Sequence, residues 1–352
     1  MIYRIYSIPN EVRGTEYLNL LYRSIERSSD AEATFVLRKF SWKELIFKHS
    51  KNERRIIHVH WETNIYGSEY ALVSIARMLY RFPGLMLAKL RGARIFWTIH
   101  NIRAHDYPHP WIDSLGRSIM WRIADAVHMQ QKAYADEQMK LHAGKKTFYI
   151  PHANFVGIFG PVWTGDRDKL RAEFGISHKT IALLSFGSVR PYKELPKLID
   201  AVSEARQKGV DVVLIIAGKA SEEYLPVIEE KAKDSKGIIA HLRYIPNEDI
   251  PKYMAVSDYN ALYYAESSLT SASLLLSLSY GVPVIIRDMP AAEIVRDGEN
   301  GFVFHGHDEL VSILEKLPNV RLQRGDAIIR TSGPDWAAMA QILRKAYLSL
   351  WI

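Results

Sequence analysis

The chain has 352 residues, 48% hydrophobic and 24% charged, with a formal net charge of +7 and no cysteine. That length suggests about two domains, and the composition excludes a collagen, a coiled coil or a disordered polymer. The lack of thiols excludes disulfides and thiolate zinc sites and permits a reducing compartment.

Taken in chain order, residues 2–8 alternate apolar and polar side chains and predict a strand rather than a signal peptide. A helix is expected over 16–25 and strands over 33–37, 55–60, 94–99, 124–129 and 147–150. Residues 72–91 mix Leu79, Phe82, Leu85, Met86 and Leu90 with Arg77, Arg81, Lys89 and Arg91 around Pro83. This segment reads either as an interfacial helix or as a core helix kinked at the proline, and not as a convincing membrane span. Glycines and Pro161 mark a linker within 154–168. The second half repeats the rhythm. Strands are expected at 181–186, 212–217, 238–242, 260–264 and 282–286, and helices at 195–208, 224–233, 250–257 and 270–280. Strands separated by helical lengths imply parallel sheets with right-handed crossovers. The fold class is therefore α/β, two doubly wound Rossmann-like domains facing a cleft. Their ranges are 1–160, 161–330 and a closing helix in 331–352 that either completes the second domain or crosses back to the first.

Three clusters carry chemistry. In 186–193, FGSVRPYK, a strand ends at Gly187 and a turn brings Arg190 and Lys193 to a helix start, a cradle suited to a diphosphate. Residues 263–273, YYAESSLTSAS, place Glu266 after a strand and Thr270 and Ser271 before an apolar helix, as caps or as ligand contacts. In the first half His100 and Asn101 close a strand, with His105 and Asp106 following and His152 near the expected linker. His58, His60, His100 and His105 match no known metal-site spacing, so no metal is expected. The basic excess lies wholly in residues 1–160. It reads as a solvated face or as a surface for an acidic polymer or anionic membrane. No recognisable nucleic-acid module accompanies it, so nucleic acid is not an expected partner.

With these landmarks the chain resembles the retaining, B-type-fold glycosyltransferases of family 4, most sharply over 181–304. The resemblance implies that Gly187, Arg190 and Lys193 bind the donor diphosphate, that Glu266 approaches the donor sugar, and that His100 approaches the transferred sugar. Thr270 and Ser271 would then hold ribose or phosphate. The family's second glutamate falls on Leu274, with Glu293 as another source of a carboxylate. Its amino-terminal Gly-Gly loop is reduced to Gly14. Nothing resembles an Asp-x-Asp metal site beside a strand, so the donor would be a nucleoside diphosphate sugar used without metal or other cofactor.

The expected activity is glycosyl transfer to an acceptor hydroxyl, saccharide or lipid-linked, in polysaccharide or glycolipid synthesis. The expected place is the cytoplasm, or the inner face of a membrane. The alternatives are a non-catalytic sugar-nucleotide-binding protein and a sugar-nucleotide epimerase on the same fold.

Overall fold

A computed structural model describes residues 1–10, 16–47, 52–104, 107–265 and 268–352. The chain divides into two compact units, Met1–Ala153 with Pro334–Ile352, and Asn154–Gly333. The divisions thus fall at 153/154 and 333/334, beside the 160/161 and 330/331 expected from sequence. The closing helix, Trp336–Leu348, is part of the first unit, where it packs on the helix Tyr17–Arg27.

The first unit is built on six parallel strands: β1 (Ile2–Ile8), β2 (Thr34–Arg38), β3 (Glu53–Val59), β4 (Ala93–Ile99), β5 (Ala126–Met129) and β6 (Lys146–Tyr149). Their order is β2-β1-β3-β4-β5-β6. The second unit repeats the design with β7 (Ile181–Phe186), β8 (Val212–Ala217), β9 (Ile238–His241), β10 (Tyr259–Leu262), β11 (Val284–Arg287) and β12 (Gly301–Phe304), ordered β12-β11-β10-β7-β8-β9. Parallel strands covered by helices on both faces need apolar side chains on both. Accordingly every residue of β7 and β10 is buried. In each sheet the chain leaves the first strand in one direction and returns on its other side. The reversals fall between β1 and β3 and between β7 and β10. The crevice beyond the carboxyl ends of two such strands is where open α/β sheets bind ligands.

The segment around Pro83 forms one helix, Ala71–Leu90, 20 residues long and uninterrupted at the proline. By length and composition alone the helix is long and apolar enough to cross a membrane. One face, with Met78, Phe82, Leu85 and Ala88, is packed into the unit. The other exposes Leu72 (81%), Leu79 (73%) and Leu90 (79%). Its cations are anchored. Arg77 and Arg81 donate to the carbonyls of Gly67 and Asn64, and Lys89 pairs with Asp125 at 3.0 Å.

Candidate functional site

In the second unit the two clusters picked out from sequence come together at the β7/β10 reversal. The FGSVRPYK turn follows β7, and the hydroxyl-rich loop follows β10. Gly187 ends β7 with φ +97°, a conformation that side chains rarely adopt. A Cβ there would stand 3.3 Å from the Lys193 Nζ. The partner strand β8 ends likewise at Gly218, where a Cβ would lie 2.0 Å from the Gly187 carbonyl oxygen, so only glycine lets the two strand ends approach.

Lys193 is 4% exposed. Its Nζ donates to the Phe186 carbonyl at 2.8 Å and sits 5.6 Å from the Tyr264 ring centroid. Burial in this apolar setting lowers its pKa from 10.5 to about 7. The Phe186 carbonyl also accepts from the Ser273 hydroxyl at 3.0 Å, and the Asn260 amide in turn holds Ser273. A second tie, Ala265 N–H to the Tyr192 carbonyl at 2.8 Å, binds the β10 loop to the turn after β7. Arg190 is exposed, and its guanidinium has no bonding partner among the described residues. Glu194, which follows the turn, sits at φ 45°, in left-handed backbone unusual for a side-chain-bearing residue. Its carboxylate is held by Lys197 and Arg287.

Several amides of the expected cradle are taken up within the fold. Those of Lys193 and Glu194 close a tight turn on the carbonyls of Arg190 and Pro191, and that of Val189 bonds to Lys219. Beside the remaining backbone of the turn, Arg190 and Lys193 are the two cations it places near an incoming anion. Ser271 is buried, and its hydroxyl caps the helix Ala272–Ser279 by accepting the Leu274 N–H at 3.2 Å. Thr270 is half-buried and makes no side-chain bond among the described residues. Leu274 belongs to the core, and Glu293 is exposed in the turn after β11. Glu266, Gly14, His105 and Asp106 lie outside the described residues. Sequence reasoning did not single out Asn260, which lies within β10, and it included Tyr264 and Ser273 only as members of the 263–273 segment.

In the first unit His100 closes β4 and is 7% exposed. It lines a pocket of about 330 Å³ with Trp61, Glu62, Asn101 and Tyr107. The Trp61 indole stacks on it at 4.4 Å and 16°. Desolvation holds its pKa well below the ordinary 6.5, and the rings of His128 and His152 push the same way. His58 and His60, from the end of β3, are buried behind it. The nitrogens of His58, His60 and His128 bond to hydroxyls, to a carbonyl and to His100. Among the described residues no group of three or more His, Asp or Glu side chains is arranged to hold a metal ion.

Residues 180–319 match the family described as glycosyl transferases group 1. Over 303 residues, 83% of this chain and 79% of the other, the chain is 22% identical to the GDP-mannose:glycolipid 4-beta-D-mannosyltransferase of Xanthomonas campestris pv. campestris. Its fold is similar to that of HepE from Anabaena, solved in complex with UDP and glucose, at TM-score 0.67 and 16% identity, covering 99% of this chain and 100% of that one. It is also similar to sucrose-phosphate synthase from Thermosynechococcus elongatus, at TM-score 0.70 and 12% identity, covering 99% and 98%. The chain is thus an enzyme of the glycosyltransferase type, with the paired Rossmann-like domains of the B-type fold.

Proposed function

We propose that the chain moves a glycosyl group from a nucleoside diphosphate sugar to an acceptor hydroxyl, with Arg190 and Lys193 receiving the diphosphate. The observation that carries this reading is Lys193. A lysine buried at a strand end, bonded to a backbone carbonyl and desolvated to a pKa near 7, is costly unless an anion comes to it. Negative charge grows on the leaving oxygen as the glycosidic bond breaks, and a fixed cation stabilises it without reorganisation. Gly187 admits the phosphates, Thr270 and Ser271 contact ribose or phosphate, and Glu266 and His100 serve the sugar. Retention of configuration is proposed from the resemblance over 181–304. The Xanthomonas relative is named for a beta product, so NMR of the new linkage decides this point. A thermal-shift screen of UDP-, GDP-, ADP- and dTDP-sugars tests donor binding. A shift with one base is expected, and no shift with any of them would remove the donor site.

Glu266 is expected to matter more than Glu293. Glu266→Gln should lower transfer about tenfold or more, as loss of a charged hydrogen bond does, and Glu293→Gln should leave it near wild type. Steady-state rates of the two variants check this, and the reverse order would show that the donor-side carboxylate comes from the β11 turn.

For the acceptor we infer a lipid-linked saccharide at the inner face of an anionic membrane. Supporting this are the basic excess of residues 1–160 and the exposed Leu72, Leu79 and Leu90 of a helix whose other face is packed into the unit. Such a helix can lie in the interface with its leucines among the acyl chains. Each cation of the first unit that faces an anionic bilayer would contribute about 1 kcal/mol. The chain is expected to pellet with anionic liposomes at low salt, and Leu79→Glu with Leu90→Glu should abolish pelleting. Full activity on a neutral lipid-free acceptor, with no pelleting at any salt, would contradict this part.

A further inference from the structure

We propose that the tautomer of His100 is set from a distance by the hydroxyl of Tyr347, on the closing helix, through an unbroken chain of buried side chains. The relay itself does not depend on the proposed function; only the part His100 plays in transfer does.

The proton positions follow from the fixed end of the chain. The His128 Nε2 lies 2.9 Å from the Ile150 carbonyl, an acceptor only, so Nε2 carries the proton and Nδ1 accepts. The Thr98 hydroxyl, 2.9 Å from His128 Nδ1, must donate to it. Thr98 Oγ1 then accepts from His58 Nε2 at 2.7 Å, which leaves His58 Nδ1 with one lone pair. Two tyrosines compete for that lone pair, Tyr347 at 2.6 Å and Tyr22 at 3.1 Å. Tyr347 takes it on distance. Tyr22 gives its proton instead to His60 Nε2, at 2.7 Å. The nearby Ser7 hydroxyl has its own proton on the Pro9 carbonyl at 2.6 Å. His60 must therefore be protonated on Nδ1 and donates to His100 Nε2 at 3.2 Å. His100 is left with its proton on Nδ1. The Gln130 carboxamide stands within hydrogen-bonding reach of this ring. Thr98, His58, His60, His128, Tyr22 and Tyr347 are all buried, so water does not interrupt the sequence of donors.

One change at the far end reverses the near end. Without the Tyr347 hydroxyl, Tyr22 turns its proton to His58 Nδ1. Its oxygen then needs a donor, which His60 supplies from Nε2. His60 Nδ1 becomes an acceptor, and His100 must protonate Nε2 to meet it. A neutral histidine offers one donor and one acceptor, so this flip exchanges the group it presents to a ligand in the Trp61 pocket. Tyr347 and Tyr22 are in this sense positioning residues.

The test is nitrogen-detected NMR of the full chain labelled with ¹⁵N-histidine, with signals assigned by single His→Gln variants. In the wild type, His58 and His128 should be Nε2-protonated, and His60 and His100 Nδ1-protonated. In Tyr347→Phe, His60 and His100 should both switch to Nε2–H while His128 keeps its form. In Tyr22→Phe the link is cut, and adding Tyr347→Phe should no longer alter His100. The wild-type tautomers need no variant to fold, and an Nε2-protonated His100 there would overturn the relay. So would an unchanged His60–His100 pair in folded Tyr347→Phe. Where sugar transfer is measurable, Tyr347→Phe should lower kcat with nucleotide affinity unchanged. Because the tautomers are read without substrate, failure of the relay and failure of the proposed function are separable.

Discussion

Between about pH 7.5 and about pH 5 the first unit is expected to lose stability, on the order of several kcal/mol. Five of its histidines, His58, His60, His100, His128 and His152, are buried and held neutral by desolvation. His128 and His152 fall from 6.5 to about 4, and the other three go well below 6.5. The sign follows from proton counting. Below 6.5 the unfolded chain binds protons that the folded one refuses until about pH 4, so stability falls as pH falls through that window. Shifts of that size are on the order of a few kcal/mol per group, so His128 and His152 together account for several kcal/mol once pH is below 4. That is comparable with the whole stability of a typical domain, about 5–15 kcal/mol. Seven of the eight tryptophans lie in the first unit, so tryptophan fluorescence in urea follows it, and hydrogen exchange over β7–β12 follows the second. A urea midpoint unchanged at pH 5 would show that the cluster takes up protons without cost.

Replacing Lys193 with Met is expected to stabilise the fold and to weaken nucleotide binding in the same variant. The folded pKa of about 7 lies below the usual 10.5. The cost of burying the cation is therefore present in full below pH 7 and lifts as pH rises toward 10.5. An apolar side chain of similar length avoids that cost, which is on the order of a few kcal/mol near neutrality. Loss of a charge-assisted contact to a buried phosphate should cost about 1.5–3 kcal/mol, or roughly ten- to a hundredfold in affinity. Arg190→Ala should show the second effect without the first, since Arg190 is exposed. The wild type should also take up close to one proton per nucleoside diphosphate bound at about pH 8, because the anion restores the lysine's ordinary pKa. Calorimetry in buffers of different ionisation enthalpy measures this. Equal melting temperatures, unchanged affinity and no buffer dependence would remove Lys193 from the diphosphate site.

The second unit was the more legible in sequence, for a physical reason. A strand buried on both faces, such as Ile181–Phe186, is an uninterrupted apolar run, and glycine at its end marks the turn. The Arg190–Lys193 turn and the loop after β10 were readable because each immediately follows such a strand. Spacing could not show that Lys193 is buried while Arg190 is exposed, since both stand in the same polar turn. The capping role of Ser271 was one of two readings that its place before a helix allowed. Both readings of the segment around Pro83 made it helical, and the helix runs through the proline with one face packed against the unit. In the first unit the histidines at strand ends were visible one by one. Their network was not, because Tyr22 and Tyr347 reach it from helices at opposite ends of the chain.

The central claim is tested most directly by measuring nucleoside diphosphate release from UDP-, GDP-, ADP- and dTDP-sugars, with and without saccharide and lipid-linked acceptors. The account predicts acceptor-stimulated turnover of at least one donor by the wild type, falling about ten- to a hundredfold in Arg190→Ala and in Lys193→Met. Turnover of a nucleotide sugar that both variants retain at the wild-type rate, or binding of donor without transfer to any acceptor, would contradict it.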